Sequence, residues 1–178
     1  GCAYCVMRRS DRAGMRLLSP ERVLSLIPEP AKRVGLVGAA VTDHPGLPKI
    51  LRALIEGGRQ VGVSSLRADR LTDELVGLLA ASGARTLTTA ADGASQRMRD
   101  LVDRQTREAD LLRAAQLCRD HAMAGLKLYV VIGLPGETAA DMDELARLAL
   151  ELAAIAPKLS LTLSPFVGPC PAYEGPFY

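Results

Sequence analysis

The feature that most constrains the fold is an alternation of short β-rich apolar runs with amphipathic helical patterns, which recurs about every thirty residues. A strand that returns parallel to its predecessor needs a crossover of roughly this length, and such crossovers are right-handed. The pattern therefore predicts an α/β chain built on a parallel sheet. The strand candidates are residues 34–37, 61–64, 86–89, 126–132 and 159–163.

Capping residues mark the predicted helix starts. Ser19 followed by Pro20, and the hydroxyls of Thr72, Thr106 and Thr138, are typical first positions. An open doubly wound sheet and a partial (β/α) barrel both satisfy this arrangement, so the choice between them depends on the motifs. In either case the functional loops follow the C-terminal ends of the strands.

Composition excludes several functional classes. The 178 residues fit one domain, residues 1–178, and the formal charge of +2 with 3% aromatic residues predicts no broad nucleic-acid surface. The four cysteines are too few for a secreted disulfide scaffold. The longest charge-free run contains three prolines and no apolar signal segment opens the chain, so we expect a cytoplasmic protein with no membrane partner.

The chain opens with Cys2 and Cys5 in a C-x-x-C arrangement. Thiolates at this spacing can hold one metal or cluster from a single loop, and structural zinc, dithiol couples and iron–sulfur clusters all use it. Zinc would need two further close ligands, whereas Cys118 lies on an apolar helical stripe and is predicted to be a core residue. The spacing alone leaves the alternatives open.

A second motif, residues 132–138 with the sequence IGLPGET, ends the most hydrophobic strand. Its glycines permit close approach of backbone to a ligand, but no lysine follows the second glycine, so it is not a phosphate-binding P-loop. Taken alone, it is best interpreted as an ordinary turn from strand to helix.

Taken together and in this order, the motifs resemble the radical S-adenosylmethionine superfamily, whose signature is C-x-x-x-C-x-x-C with an aromatic residue before the last cysteine. Cys2, Tyr4 and Cys5 look like the second cysteine, the aromatic residue and the third cysteine. The resemblance places the first cysteine upstream of Gly1, together with the first barrel strand. It implies a partial (β/α) barrel that lacks its first strand.

Residues 37–46, 65–69, 127–138 and 164–167 are similar to successive strand ends of radical enzymes fused to a cobalamin-binding domain and, more distantly, of methylthiotransferases. Residues 90–97 and 168–177 depart from that subgroup. The departures affect the expected substrate more than the expected cofactors.

The resemblance implies a four-iron four-sulfur cluster, with Cys2 and Cys5 as metal ligands, and S-adenosylmethionine as the source of a deoxyadenosyl radical. Cobalamin-assisted methyl transfer, with cobalamin supplied by a missing N-terminal domain, is the favoured reaction. An electron donor and a small-molecule or macromolecular substrate are the implied partners. The implied cofactor-binding residues are Tyr4, Gly38, Ala39, Ala40, Ser65, Arg67, Asp92, Ile132 and Gly133.

Simpler roles compete with several of these assignments. Arg67 could form an ion pair with Asp69 or Asp43, and His44 could cap a loop. For Asp92, Arg97 and Arg99 the default role is helix-terminus and surface electrostatics, and Cys170 is best interpreted as an unreactive loop cysteine. The assignment of these residues stays open at this stage.

Two other functions fit the sequence: a non-catalytic α/β binding module with a structural C-x-x-C, and a nucleotide-binding enzyme on a doubly wound sheet. We expect the isolated chain to be weak or inactive in reductive S-adenosylmethionine cleavage, because a missing thiolate leaves one iron exposed.

Overall fold

The computed structural model describes residues 3, 5, 16–38 and 40–167. Cys2, Tyr4, Ala39 and Cys170 lie outside this part of the chain. The elements are α1 (Pro20–Ser25), β1 (Arg33–Leu36), α2 (Leu47–Glu56), β2 (Gln60–Val63), α3 (Asp73–Ala81), β3 (Thr86–Ala90), α4 (Gln96–Leu101), α5 (Glu108–Asp120), β4 (Gly125–Ile132), α6 (Ala139–Ile155) and β5 (Leu159–Pro165), with 3-10 turns at Val41–Asp43 and Ala68–Arg70.

All strand pairs in the described residues are parallel, which confirms the predicted α/β architecture. β1 pairs with β2, and β3, β4 and β5 pair in chain order. A single parallel bridge between Leu66 and Thr89 connects the loop after β2 to β3. The strand bounds differ from the predicted ranges by at most two residues at either end.

The two faces of the sheet differ in chemistry because side chains alternate along each strand. One face packs against the helices and carries Leu87, Leu126, Leu128 and Val130, all at most 1% exposed. We call the other side the open face. On β3–β5 it consists of Thr86, Thr88, Ala90, Lys127, Tyr129, Val131, Ser160, Thr162 and Ser164, and on β1 and β2 it includes Gly35 and Gly62.

The predicted helix starts are correct except at Thr106. Ser19 and Thr72 accept the expected backbone hydrogen bonds, and the N–H of Thr138 donates to Asp141 at 2.8 Å. α5 instead begins at Glu108, where the N–H of Arg107 donates to the Asp110 carboxylate at 2.9 Å. A carboxylate in the first turn also complements the helix dipole, which a threonine does not.

The core between sheet and helices is continuous and apolar. Cys118 lies in it at 0% exposure, as predicted, and burial raises the pKa of its thiol. A second, smaller cluster of Met98, Val102 and Leu134, packed against Val131 and Phe166, lies near the C-terminal ends of the strands. Within the described residues, no helix is long and apolar enough to cross a membrane.

Leu128 and Leu161 are register partners on the helix-facing side of β4 and β5, but only Leu128 is fully buried. We expect Leu128→Ala to lower the free energy of unfolding by about 2–5 kcal/mol, through lost burial and the cavity left behind. Leu161→Ala, at 36% exposure, is the matched control and should cost less than half as much. Equal losses in urea unfolding would contradict the burial difference between the two strands.

Candidate functional site

The loops after β1 and β2 are joined by Arg67. Its guanidinium lies 3.1 Å from Asp43 and 2.7 Å from Asp69, and its backbone N–H donates to the Thr42 hydroxyl at 3.4 Å. The hydrogen bonds to Asp69 raise the pKa of Arg67, with the charge of Asp43 acting in the same direction. The ion-pair alternative is therefore the arrangement observed, and it fixes the two loops relative to each other.

Ser65 and Asp92, which the family resemblance assigned to cofactor binding, line one cleft of about 570 Å³ with Thr88, Ala90 and Tyr129. Asp92 adopts a left-handed backbone conformation, φ 61°, and its carboxylate lies 3.1 Å from Nε of Arg104. Arg104 also donates to the Ala90 carbonyl at 3.1 Å, so it fixes the loop that follows β3.

Gly38 and Ala40 line a separate, mostly apolar cavity of about 220 Å³. His44 closes one side of it. The N–H of Gly46 donates to Nδ1 of His44 at 3.0 Å, which leaves Nε2 to donate to the Leu18 carbonyl at 2.8 Å. His44 thus has both ring nitrogens engaged with backbone and caps the loop, as its simpler interpretation proposed.

Ile132 is the last residue of β4, and Gly133 follows it. The Ile132 carbonyl accepts a hydrogen bond from the N–H of Phe166 at 2.7 Å, which continues the pairing with the chain after β5. Gly133 has φ 78°, a conformation that side chains disfavour, and its N–H donates to the Glu137 carboxylate at 2.8 Å. Glu137 therefore holds the IGLPGET turn closed.

The cysteine segment is positioned through its backbone. The N–H of Ala3 donates to the carbonyl of Val102 at 2.8 Å, at the end of α4. Because Val102 packs with Leu134 in the IGLPGET turn, the segment lies beside the loops that carry the predicted cofactor residues. Cys5 is a half-buried free thiol. A cysteine thiolate is the soft ligand that iron–sulfur clusters use, so Cys5 is a candidate cluster ligand, and the described residues around it supply no further one.

Asp141 connects the loop after β3 to the turn after β4. Its side chain is 5% exposed, accepts from Ser95 Oγ at 2.6 Å and from Thr138 Oγ1 at 2.8 Å, and forms an ion pair with Arg97. The Ser95 hydrogen bond, together with Arg97 and Thr138, holds the pKa of Asp141 well below its usual value of 3.8. The local sequence pattern located the cap but carried no sign of the contacts with Ser95 and Arg97.

Arg99 is fully buried, so the predicted surface role for it is wrong. It donates to the Gly93 carbonyl at 3.4 Å and to the Gln96 side chain at 3.3 Å, and it lies 3.9 Å from Glu144. Burial lowers the pKa of its guanidinium. Arg99 stabilises the start of α4 from inside. A carboxylate on a helix distant in sequence is its ionic partner, which a pattern local to α4 could not reveal.

The open face contributes Lys127, to which the sequence motifs assign no individual role, and Tyr129, which the family resemblance places beside adenine. Tyr129 lines the 570 Å³ cleft, and Nζ of Lys127 lies 4.7 Å from the centroid of its ring. The signal that could have found them is the alternation within β4, where buried leucines and valine alternate with Lys127, Tyr129 and Val131. Among the described residues, no cluster of three or more His, Cys, Asp or Glu side chains could bind a metal.

Comparison with known proteins agrees with this geometry. The Radical SAM superfamily matches residues 1–149. An uncharacterized protein of Methanocaldococcus jannaschii, MJ0966, is 30% identical over 135 residues, which cover 76% of this chain and 30% of that protein. The structure of coproporphyrinogen III oxidase, HemN, from Escherichia coli aligns with a TM-score of 0.54 at 14% identity, over 74% of this chain and 31% of that one.

A parallel α/β sheet whose loops converge at the carboxyl ends of its strands is the architecture of a cofactor-dependent enzyme domain. The chain belongs to the radical SAM superfamily. Membership implies an iron–sulfur cluster and S-adenosylmethionine-dependent radical chemistry. The similarity to HemN concerns the fold alone. The chain spans less than a third of the length of either similar protein.

Asp141→Asn should destabilise the protein and change its pH dependence. Folding lowers the pKa of Asp141, so the ionised carboxylate stabilises the fold above its usual pKa of 3.8, and this contribution is lost as the pH falls below that value. We expect the difference in unfolding free energy between wild type and variant to be full near pH 6 and much smaller near pH 2. Urea unfolding across pH measures it.

Asp143→Asn, which alters an exposed carboxylate on the same helix, is the control and should leave the wild-type profile unchanged. A pH-independent difference between wild type and Asp141→Asn would show that the charge of Asp141 does not stabilise the fold.

Proposed function

We propose that the chain is the catalytic core of a radical S-adenosylmethionine enzyme, which binds a four-iron four-sulfur cluster and S-adenosylmethionine at the C-terminal ends of its strands. The single observation that carries the proposal is the Ala3–Val102 hydrogen bond of 2.8 Å. It joins Ala3, which lies between Cys2 and Cys5 in the sequence, to the end of α4, where Val102 packs against Leu134 of the turn after β4. A cluster there would lie beside the cleft that Ser65 and Asp92 line.

Cys2 and Cys5 would ligate the cluster, and Tyr4 would shield it from solvent. When bound, the cluster supplies the electron that cleaves the sulfonium of S-adenosylmethionine and yields a deoxyadenosyl radical. The contribution of the chain is positional, because Val102 and Leu134 pack together behind the cysteine segment.

Each loop would contact a different part of the S-adenosylmethionine molecule. Backbone at Gly38, Ala39 and Ala40 would contact the methionine amino group, and Ser65 and Asp92 would reach the carboxylate and the ribose. Ile132 and Gly133 would flank adenine. Arg67 is already paired with Asp43 and Asp69, so we assign it the orientation of the first two loops in addition to electrostatic attraction of the ligand carboxylate.

Strand order supports a partial (β/α) barrel. A doubly wound sheet reverses its strand order at a switch point, where ligands bind. Here β3, β4 and β5 pair in chain order, β1 pairs with β2, and the Leu66–Thr89 bridge connects the groups in the same sequence. We therefore favour a singly wound barrel over the doubly wound alternative.

Within this class we propose cobalamin-assisted methyl transfer. The support is the similarity of residues 37–46, 65–69 and 127–138 to the strand ends of the cobalamin-fused subgroup. The cobalamin domain, the electron donor and a cytoplasmic location stay predictions. So does the activity of the whole protein, since the chain covers 30% of its relative.

The cluster assignment predicts selective loss of iron. After anaerobic reconstitution of the full-length protein, Cys5→Ala should fall well below about four irons per chain and form no deoxyadenosine with S-adenosylmethionine and dithionite. Cys118→Ala, a substitution in the apolar core, is the matched control and should retain both. Full iron content in Cys5→Ala, or none in wild type, would refute the assignment.

Gly133 and Gly136 share φ 78°, and a Cβ at either would meet no atom within 4 Å, so Gly→Ala should strain both positions by about 1–2 kcal/mol. We expect similar losses of thermal stability, but only Gly133→Ala, at the strand end beside the adenine position, should weaken S-adenosylmethionine binding, by about fivefold or more. Calorimetry on the reconstituted protein measures the affinity. Equal weakening by both variants would remove Gly133 from the binding site.

A further inference from the structure

The strands carry cations without carboxylates. In the described part of the chain, none of the strands contains Asp or Glu, and their cationic residues are Arg33, at the start of β1, and Lys127, in β4. A carboxylate on a neighbouring strand would be the usual partner of a lysine on a sheet surface. The strands that flank Lys127 supply none.

Lys127 lies beside the cleft on the open face. Its Nζ is 4.7 Å from the centroid of Tyr129, the ring that lines the cleft, and Tyr129 is two residues closer to the C-terminal end of β4. Across the described residues, no carboxylate lies within 4.0 Å of this ammonium. The ring satisfies part of the charge, because an aromatic face attracts a cation, but it is a weaker partner than an anion.

Hydroxyl groups flank Lys127 on both neighbouring strands. Thr88 of β3 and Ser160 of β5 are its register partners, and Thr162 is the register partner of Tyr129. Hydroxyls donate hydrogen bonds to an anion and are neutral when it is absent. On the other two strands Gly35 and Gly62 add no side chain, and a Cβ at either would have no atom within 4 Å.

We propose that Lys127, flanked by Thr88 and Ser160, binds a carboxylate group of the substrate on the open face of the sheet. The proposal rests on the function proposed above, since it places the substrate in the cleft beside S-adenosylmethionine. Lys127 supplies the charge and the hydroxyls supply direction, while Tyr129 lies between the anion and the loops where the radical forms.

The charge balance selects a carboxylate over a phosphate. One ammonium and neutral hydroxyls match a single negative charge, whereas a phosphate carries up to two charges at neutral pH and is typically met by several cations or by a helix N-terminus. Arg33, the other cation of the strands, has Gln60 as its register partner, whereas the register partners of Lys127 are Thr88 and Ser160. Lys127 is therefore the only cation among the three residues that are aligned across β3, β4 and β5 at this position.

The test uses the full-length, reconstituted protein and small probes. Succinate, its neutral analogue succinamide and inorganic phosphate are titrated by calorimetry into wild type, Lys127→Met, Lys127→Arg and Lys32→Met. Lys32 is exposed and lies outside the strands, so it is the matched control. We expect Lys127→Met to weaken succinate binding at least about tenfold, Lys127→Arg to restore most of it, and Lys32→Met to match wild type.

Ser160→Ala is a second variant at an exposed position, where unfolding is not expected, and should weaken succinate binding about threefold. Equal succinate affinity in wild type and Lys127→Met, or tighter binding of phosphate or succinamide than of succinate, would overturn the proposal. Competition between succinate and S-adenosylhomocysteine would overturn it too, because the carboxylate bound by Lys127 would then belong to the cofactor.

Deoxyadenosine formation by the wild-type protein is measured in parallel, and it separates the two proposals. If deoxyadenosine forms but succinate binding does not depend on Lys127, only the substrate assignment fails. If succinate binding depends on Lys127 but neither iron nor deoxyadenosine is found, the carboxylate site stands and the radical function fails.

Discussion

The buried carboxylate of Asp141 is the interaction on which the geometry of the site depends, because it bonds groups from two loops that are distant in sequence. Ser95 and Arg97 belong to the segment after β3, and Thr138 to the turn after β4. Two further carboxylates add contacts between helices. Glu144 accepts a hydrogen bond from the N–H of Gln96 at 2.7 Å, and Glu108 forms an ion pair with Arg147 at 2.6 Å. Ionic contacts thus fasten α4 and α5 to α6, while apolar contacts fasten all three to the sheet.

A similar device acts on the first two loops, where Arg67 pairs with Asp43 and Asp69. The contacts of Arg67 and those of Asp141 both lie at the C-terminal edge of the sheet. The loops there have polar backbone groups that need hydrogen-bonding or charged partners, which the apolar core does not supply. Ala3 is connected to the contacts of Asp141 through α4. Its N–H bonds to Val102 at the end of this helix, and Ser95, which bonds to Asp141, caps the start of the helix. The relative positions of the loops at this edge therefore depend strongly on charged contacts.

Local chemistry was enough to predict the strands, most helix starts and the core position of Cys118, since periodicity and caps act within a few residues. It failed at Thr106, where Asp110 offers the better cap. Ser95 and α4 were missed because the helix is six residues long and is stabilised by Asp141, Glu144 and the buried Arg99, contacts made across the fold. The roles of the predicted cofactor residues stay predictions.

The two glycines that face each other on β1 and β2 have an evolutionary consequence. Gly35 and Gly62 are register partners and present bare backbone on the open face. Both line a cavity of about 250 Å³ with Arg33, Gln60 and Ser82, and neither lines the 570 Å³ cleft. Because a Cβ at either glycine would meet no atom within 4 Å, a single replacement would make that cavity smaller without displacing a neighbour. Substitutions at these two positions could therefore change the size of that cavity over evolution while the loops and ion pairs at the C-terminal edge of the sheet stay unchanged.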